Sequence, residues 1–318
     1  MTNSDADKSE QYGSQLDRLL AMGKARVAAP TAVVHPCDAV SLSGAMEAAR
    51  MGLIMPVLVG PRHKVLAAAE AAGVELGETE IVDVQHSHAA AAEACRLARE
   101  GAVSAIMKGS LHTDELLEAV IDGTTGLRTD RRMSHIFILD VPNYPRPLFL
   151  SDAAINIAPD LAIKKDIVQN AIDCALALGV QEPRVAVLAA VETVHPSMQA
   201  TIDAAALSKM AERGQIIGGL IDGPLAFDNA ISVEAADTKH IVSRVAGRAD
   251  VLIAPNIEAG NMMAKQLAYL ANAQSAGLVM GARVPIILTS RADGRLSRLA
   301  SCAAAMLVAQ HQRSKPPR

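Results

Sequence analysis

The chain has 318 residues, of which 50% are hydrophobic but only 2% aromatic. Its length suits two domains of ordinary size, and an apolar content of Ala, Val, Leu, Ile and Met is typical of helices packed on a buried sheet. Few aromatic side chains are available to stack on single-stranded nucleic acid. The 30 basic and 34 acidic residues give a net charge of −4, which provides no basic surface for DNA. We therefore expect no nucleic-acid partner.

The apolar runs of the sequence are too short for a membrane-spanning helix, since none reaches ~18 residues. The first 24 residues are polar and lack the apolar core of a signal peptide. Four cysteines, Cys37, Cys95, Cys174 and Cys302, form no C-x-x-C motif and predict neither a zinc knuckle nor a disulfide framework. We expect a cytoplasmic protein with reduced cysteines and no membrane partner.

Short strand-like segments alternate with helical ones along the chain. Strands are predicted at residues 31–35, 56–60, 81–84, 103–107, 134–140, 148–150, 184–188, 216–221, 250–253 and 284–289. Helices are predicted at residues 41–51, from Lys64 onward, and at 89–99, 113–120, 164–178, 200–213, 233–245, 262–272 and 296–310. This alternation predicts an α/β protein with largely parallel sheets.

A Pro-rich break at 141–147 predicts a crossing between domains. We expect a first domain of residues 1–147 plus 290–318 and a second domain of residues 148–289. The tail at 311–318 is polar and is predicted to be disordered.

Ligands of such folds bind beyond the carboxyl ends of the strands, where the sequence has several polar segments. Lys108 and Ser110 stand at the start of a helix and could hold a phosphate, although an ordinary capped turn has the same composition. The segment GLRTDRR contains Arg128 and Arg132, which could neutralise a phosphate dianion. A solvated charged loop is the alternative for that segment.

Two more polar segments follow apolar strands. Asp152 and Asn156 come after the strand LFL, and Asn256, Glu258 and Asn261 come after the strand VLIA. All five are candidate substrate-binding residues. Helix capping, by Asp152 in the first segment and Asn261 in the second, is the alternative interpretation.

The segment after the last predicted strand is the richest in functional groups. Ser290, Arg291 and Asp293 supply a hydroxyl, an anion-binding group and a possible base, whereas the alternative is a Ser or Asp N-cap with a surface Arg. His35 has no partner that the sequence reveals and is predicted to be structural. Neither G-x-S-x-G nor G-x-G-x-x-G after the first strand is present, so a serine hydrolase or a classical dinucleotide site is not favoured.

Taken together, these segments resemble the phosphate acetyltransferase / phosphate butyryltransferase family. The matching stretches are MKGSLHTDELL, GLRTDRRMSHIFILDVP, LFLSDAAINIAPD, IDGPLAFDNA, DVLIAPNIEAGNMMAKQL and PIILTSRADG. They cover most of the chain from about Val103 onward, and VVHPCDAV and MPVLVG match more weakly. The residues of these stretches are more similar to the butyryl-type branch than to the long acetyl branch.

The resemblance implies reversible transfer of a short acyl group, acetyl or butyryl, between CoA and inorganic phosphate. It also implies a two-domain, three-layer α/β/α fold like that of the isocitrate/isopropylmalate dehydrogenases, with the active site in the inter-domain cleft. The family is homodimeric as a rule and uses CoA and phosphate as substrates, with no metal or prosthetic group.

The resemblance also suggests roles for the segment after the last strand. Ser290 and Arg291 match a Ser-Arg pair at the site of the acetyl branch, where a nearby Asp is the proposed base for the CoA thiol. Asp293 is the candidate for that base here. The acetyl branch carries its Asp later, at the position of Ser297, so the identity of the base stays open.

Two other functions remain possible at this point. A metal-dependent decarboxylating dehydrogenase of the same fold would use Asp222 and Asp228 as metal ligands, although a turn is the favoured interpretation of that pair. A non-catalytic acyl-CoA-binding subunit would bind CoA without consuming a thioester. An enzyme that serves acyl carrier protein is a variation that would favour a basic docking patch, which the sequence does not indicate.

Overall fold

The computed structural model describes residues 15–288 and 294–314. Eleven strands lie within this part of the chain: β1 Ala29–Val34, β2 Ile54–Gly60, β3 Ile81–Asp83, β4 Ala105–Lys108, β5 Ser134–Asp140, β6 Leu148–Ser151, β7 Arg184–Leu188, β8 Leu220–Leu225, β9 Val251–Ile253, β10 Gln274–Met280 and β11 Ile286–Ile287. The helices there are α1 Gln15–Lys24, α2 Ala39–Arg50, α3 Arg62–Ala72, α4 Ser87–Arg99, α5 Thr113–Ile121, α6 Leu161–Ala177, α7 Gln199–Glu212, α8 Phe227–Ile231, α9 Val233–Thr238, α10 Ile257–Leu270 and α11 Arg295–Ser314.

The chain divides into two compact units. We call Leu16–Arg131 with the chain from Ala276 onward the first unit, and Arg132–Ser275 the second unit. The sequence predicts the crossings between domains near residues 147 and 289. The first of these positions lies between β5 and β6, and the second follows β11. Antiparallel pairing joins β5 to β6 and β10 to β11. The two units divide between Arg131 and Arg132, before β5, and between Ser275 and Ala276, within β10.

The first unit has the strand order β3-β2-β1-β4-β11-β10. Every neighbouring pair from β3 to β11 is parallel, and only β10 runs the other way. Helix α11 packs on this unit with an unbroken buried stretch over 299–309. Small Ala and Ser side chains along α11 permit this burial on all sides, as expected of a core helix.

The second unit has the strand order β5-β6-β9-β7-β8. Strands β6, β9, β7 and β8 are parallel to one another. Leu139, Leu150, Ala186 and Leu252 belong to one buried apolar cluster beneath this sheet. The mixed α/β architecture that the strand-helix alternation predicted is therefore confirmed.

Several predicted elements differ from the observed ones for local reasons. The strand predicted at 216–221 begins only at Leu220, because Gly218 has a φ of 89° that an extended strand does not adopt. The helix predicted at 233–245 ends at Thr238, shortly before His240 with its left-handed φ of 54°. Helix α10 begins at Ile257, well before the predicted start at 262.

Other elements were missed altogether. The sequence pattern predicts no element at the positions of α1, α8 and β10. The tail was predicted to be disordered, yet His311 to Ser314 continue α11. In the part of the chain that the structure describes, no helix combines the length and the apolar character needed to cross a membrane.

A buried ion pair joins two helices of the second unit. Lys164 Nζ on α6 lies 2.7 Å from Asp203 Oδ2 on α7, with both side chains under one-tenth exposed. Gln199 Nε2 donates to the other oxygen of Asp203 at 2.8 Å. The pair compensates two charges that burial would otherwise make costly.

We expect Lys164→Met to lower the free energy of unfolding by ~3–5 kcal/mol, because it leaves the Asp203 carboxylate buried without its cation. Lys209→Met is the control: Lys209 pairs with Glu212 in solvent, and such pairs contribute only ~0–1 kcal/mol. Urea unfolding of both variants measures the difference. Equal losses in the two variants would contradict this account.

Candidate functional site

A buried carboxylate organises the loop after β6 in the second unit. Asp152 is 2% exposed. Its Oδ1 accepts backbone N–H bonds from His135, Ala154 and Ile155 at 3.0–3.3 Å. Its Oδ2 accepts from the Asn156 backbone at 3.0 Å and from Asn156 Nδ2 at 2.6 Å. Asp152 therefore fixes the backbone of the whole loop.

The same contacts determine the orientation of Asn156. Its Nδ2 donates to Asp152 Oδ2 at 2.6 Å and to the Met133 carbonyl at 2.8 Å. Both N–H groups of the amide are used, and their partners can only accept. The Asn156 Oδ1 atom is thus left as an acceptor on a half-buried side chain.

Helix α10 packs its first turns against this loop. A Cβ built on Gly260 would lie 2.3 Å from the Asp152 carbonyl oxygen, so only glycine permits this approach. Asn261 Nδ2 donates to the Ala153 carbonyl at 3.1 Å. Asn256 is the N-cap, because its Oδ1 accepts from the Ala259 backbone at 2.9 Å. The sequence alternative placed the cap at Asn261, which instead lies inside α10. Glu258 is exposed in the first turn.

A buried histidine lies beside the Asp152 carboxylate. His135 is 4% exposed and packs edge-on against the Phe137 ring at 4.4 Å. Its Nδ1 has no hydrogen-bond partner. Burial lowers the pKa of His135, although the Asp152 charge opposes this shift. The imidazole is therefore neutral at pH 7.

The first unit has a second polar cluster, where β1 and β4 end side by side. Ser110 Oγ donates to the His35 carbonyl at 2.9 Å and accepts from the Cys37 backbone at 3.2 Å. Gly109 lies so near β1 that a Cβ there would approach the Val34 carbonyl to 2.3 Å. Burial raises the pKa of the Cys37 thiol to about 11, which leaves it a poor nucleophile at pH 7.

Lys108 completes this cluster. It is the last residue of β4 and pairs with Val34 in the parallel register. Its Nζ lies 3.5 Å from the Gly109 carbonyl. An ammonium at the end of a strand, beside a glycine turn, can neutralise an anion bound there.

The two arginines predicted to bind phosphate, Arg128 and Arg132, are held in place through backbone contacts. Arg128 is exposed and forms a bridge with Ala282 in the first unit. Arg132 is exposed in the second unit, where its N–H donates to Asp166 Oδ2 at 3.0 Å and its carbonyl accepts from Asn170 Nδ2 at 2.9 Å. Both guanidinium groups belong to exposed residues and can meet a solvated phosphate.

The predicted catalytic segment lies outside the described residues. Ser290, Arg291 and Asp293 all fall in the interval 289–293. The chain is described as far as Leu288, immediately after β11. Strand β11 is the parallel neighbour of β4.

The alternative metal pair consists of ordinary structural carboxylates. Asp222 Oδ1 accepts from the Gly223 backbone at 2.8 Å within β8. Asp228 lies 4.0 Å from Lys239 Nζ with a 58% exposed side chain. Within residues 15–288 and 294–314, no three His, Cys, Asp or Glu side chains are grouped so that they could hold a metal ion.

Sequence reasoning missed one candidate functional residue. His35 was interpreted as structural, yet its Nδ1 lies 3.3 Å from the Ser110 carbonyl oxygen. Its backbone is left-handed, with a φ of 52°. The sequence signal that could have indicated His35 as a candidate is its position at the carboxyl end of a predicted β-rich strand.

Comparison with known proteins gives a consistent result. The phosphate acetyl/butaryl transferase family matches residues 88–306. A phosphate acetyltransferase of Rhizobium meliloti is 60% identical over 95% of both chains. A phosphate butyryltransferase of Clostridium beijerinckii is 41% identical over 95% of this chain and 98% of its own. The crystal structure of a branched-chain phosphotransacylase from Enterococcus faecalis V583 is similar with a TM-score of 0.77 and 27% identity, covering 89% of this chain and 99% of that one.

We expect Gly260→Ala to destabilise the second unit by about 1–3 kcal/mol and to loosen the Asp152 loop, because the new methyl group overpacks its contact with the loop backbone. Hydrogen exchange at the amides of Ala154 and Asn156 should accelerate. Gly123→Ala is the control, since a Cβ there meets nothing within 4 Å. Unchanged exchange in Gly260→Ala would show that the loop does not depend on this contact.

We also expect His135 to make folding stability sensitive to acid. Its folded pKa lies below the ordinary value of ~6.5, so the unfolded chain takes up the proton first. Neutral His135 makes its full contribution to the free energy of unfolding above pH ~6.5. This contribution is lost as the pH falls below that value. Urea unfolding between pH 7 and pH 5 should show a shallower pH dependence in His135→Gln than in the wild type or in His86→Gln. Parallel curves for all three proteins would refute this role.

Proposed function

We propose a substrate site for a chain that belongs to the phosphate acetyl/butyryl transferase family. The protein is an acyltransferase that moves a short acyl group between CoA and inorganic phosphate. In this proposal, the polar clusters at the carboxyl ends of its strands bind these two substrates. The observation that carries this proposal is the Lys108 turn. It ends β4, the parallel neighbour of the strand that leads into the Ser290-Arg291 segment.

Phosphate and the acyl carbonyl need cationic or hydrogen-bond donor groups, because negative charge develops on oxygen in the transition state. In this proposal Lys108 and Arg291 neutralise the phosphate, and Ser290 donates to the acyl oxygen. Ser110 contributes indirectly: its hydroxyl is occupied by the His35 carbonyl and the Cys37 N–H, which follow β1, and holds the turn that presents Lys108.

The Asp152 loop has a corresponding division of roles. Asp152 Oδ1 and Oδ2 and Asn261 Nδ2 bond to loop backbone, and Asn256 Oδ1 caps its helix, so we assign these residues to positioning. The Asn156 Oδ1 acceptor suits an N–H group of the pantetheine arm of CoA, because phosphate oxygens offer mainly acceptors. The exposed Arg128 and Arg132 suit the CoA phosphates, and exposed Glu258 remains a candidate contact.

We propose direct transfer within a complex of enzyme, acyl donor and acceptor, without an acyl-enzyme. Holding both substrates in contact supplies much of the rate acceleration. A thiol with an ordinary pKa of ~8.5 needs a proton acceptor at neutral pH, and Asp293 is the candidate that the family resemblance suggests. The reaction needs no metal or prosthetic group in this proposal.

Two further expectations rest on the same resemblance, and two rest on composition. A homodimer and the isocitrate/isopropylmalate dehydrogenase-like architecture, including the location of the active site, stay predictions. A cytoplasmic location is supported by the four cysteines, all of which are free. The absence of a nucleic-acid partner is supported by the mildly negative net charge.

The decisive assay is phosphate-dependent release of CoA from acetyl-, propionyl- and butyryl-CoA, compared side by side. Arg291→Ala should lower the rate with the preferred substrate by ~10²–10³-fold, the loss seen when one stabilising donor is removed. Arg313→Ala, at an exposed position in the last turn of α11, should match the wild type. Near-normal activity in Arg291→Ala would disprove the role of Arg291, and no release from any of the three thioesters would overturn the proposed function.

A further inference from the structure

His35 is connected to Ser110 by contacts that determine where its ring carries a proton. The Nδ1 atom lies 3.3 Å from the Ser110 carbonyl oxygen and 3.5 Å from Ser110 Oγ. A carbonyl oxygen can only accept. The single hydroxyl proton of Ser110 is already donated to the His35 carbonyl at 2.9 Å. Both neighbours of Nδ1 therefore require that Nδ1 carries the hydrogen.

This arrangement selects one tautomer of the neutral imidazole. With the proton on Nδ1, the Nε2 atom has a free lone pair and acts as a proton acceptor. A backbone carbonyl that holds Nδ1–H is a common device for orienting a histidine whose other nitrogen does chemistry. The half-buried ring of His35 is thus a preoriented base.

The backbone at His35 is unusual for a residue with a side chain. Its φ of 52° lies in the left-handed region, which glycine occupies readily and other residues rarely. A strained residue of this kind persists where the surrounding structure holds it in place. Here the β4 turn does so, because Gly109 N and Ser110 N donate to the Val34 and His35 carbonyls, each at 2.9 Å.

The position of His35 links it to the proposed phosphate site. Strands β1, β4 and β11 are consecutive parallel neighbours, so the turns after β1 and β4 meet at one edge. We propose that His35, rather than Asp293, is the catalytic base of the acyl transfer and accepts the proton of the CoA thiol at Nε2. This inference rests on the proposed function and adds a residue to the same site.

The proton and electron balance is simple. When acyl phosphate is consumed, the thiol S–H bond breaks and its proton moves to Nε2. The sulfur electron pair forms the S–C bond to the acyl carbon, and the C–O bond to phosphate breaks with its electrons on the phosphate oxygen. In the opposite direction, a phosphate oxygen forms the C–O bond, and the imidazolium returns its proton to the departing thiolate. No other reactant is needed.

Several charged or titratable groups lie near His35. Lys108 lies on β4 beside Val34. Cys37 and Asp38 follow His35 in the chain, and Lys64 on α3 acts on the Cys37 thiol.

The test uses two substitutions that suit the left-handed backbone. His35→Asn is tolerated there and can still donate to the Ser110 carbonyl, but it has no Nε2. In the direction that consumes acyl phosphate, where His35 acts as the base, we expect kcat to fall by ~10²-fold, the usual contribution of a general base, with the KM values for acyl phosphate and CoA within about threefold. His35→Gly leaves room for free imidazole, which should restore part of the lost kcat. The acid limb of the kcat profile should disappear in both variants.

His86→Asn is the matched control, because His86 is an exposed N-cap whose role Asn reproduces. It should retain wild-type kinetics, and thermal unfolding should show that all variants fold. Activity of His35→Asn within twofold of the wild type would overturn the proposal. A loss of activity without imidazole rescue and with an unchanged pH profile would also overturn it. An inactive wild type would instead refute the proposed function itself.

Discussion

Parallel pairing of neighbouring strands is the constraint on which both polar clusters depend. In a parallel pair, the carboxyl ends lie at the same edge, so residues that follow two strands meet there whatever their separation in sequence. The register of β6 with β9 pairs Ser151 with Ile253 and so brings the Asp152 loop to the start of α10. The register of β1 with β4 pairs Val34 with Lys108, and the His35 and Ser110 turns meet as a result. Each unit thus builds its polar cluster with the same backbone geometry.

Hydrogen bonding then divides the polar residues by role. Buried polar atoms must find partners, and the Asp152 carboxylate, the Ser110 hydroxyl and the Oδ1 of Asn256 all bond to nearby backbone N–H or carbonyl groups. Such residues can act on a substrate only through the backbone that they hold. The side chains that can contact a ligand are those with an unoccupied polar atom, such as the Oδ1 of Asn156 and the Nε2 of His35. Unoccupied polar atoms, rather than residue type, therefore distinguish the side chains that can take part in the chemistry from those that position them.

Local sequence signals were reliable where one local preference dominates. Strands β5 and β7 have the predicted limits, because each contains a compact apolar run that begins after a polar residue. The signals failed where backbone conformation or tertiary pairing intervened. Gly218 delays β8, and His240 accompanies the early end of α9. Strand β10, QSAGLVM, contains a glycine and was missed, yet pairing with β11 and burial hold it extended. The Lys108 and Asp152 segments are candidates from the sequence alone, because polar residues after apolar strands are visible without any structure.

The sequence by itself determined the α/β class, through the alternation of strand and helix patterns, and the family, through an ordered set of segments that no single motif would identify. Only the tertiary structure decided which polar atoms are occupied. His35 and Ser110 are 75 residues apart, and neither local propensity nor spacing encodes their contact, because it follows from the register of two strands that pair only in the folded chain. The left-handed backbone of His35 is equally invisible in the sequence, since it is imposed by that pairing rather than preferred by the residue.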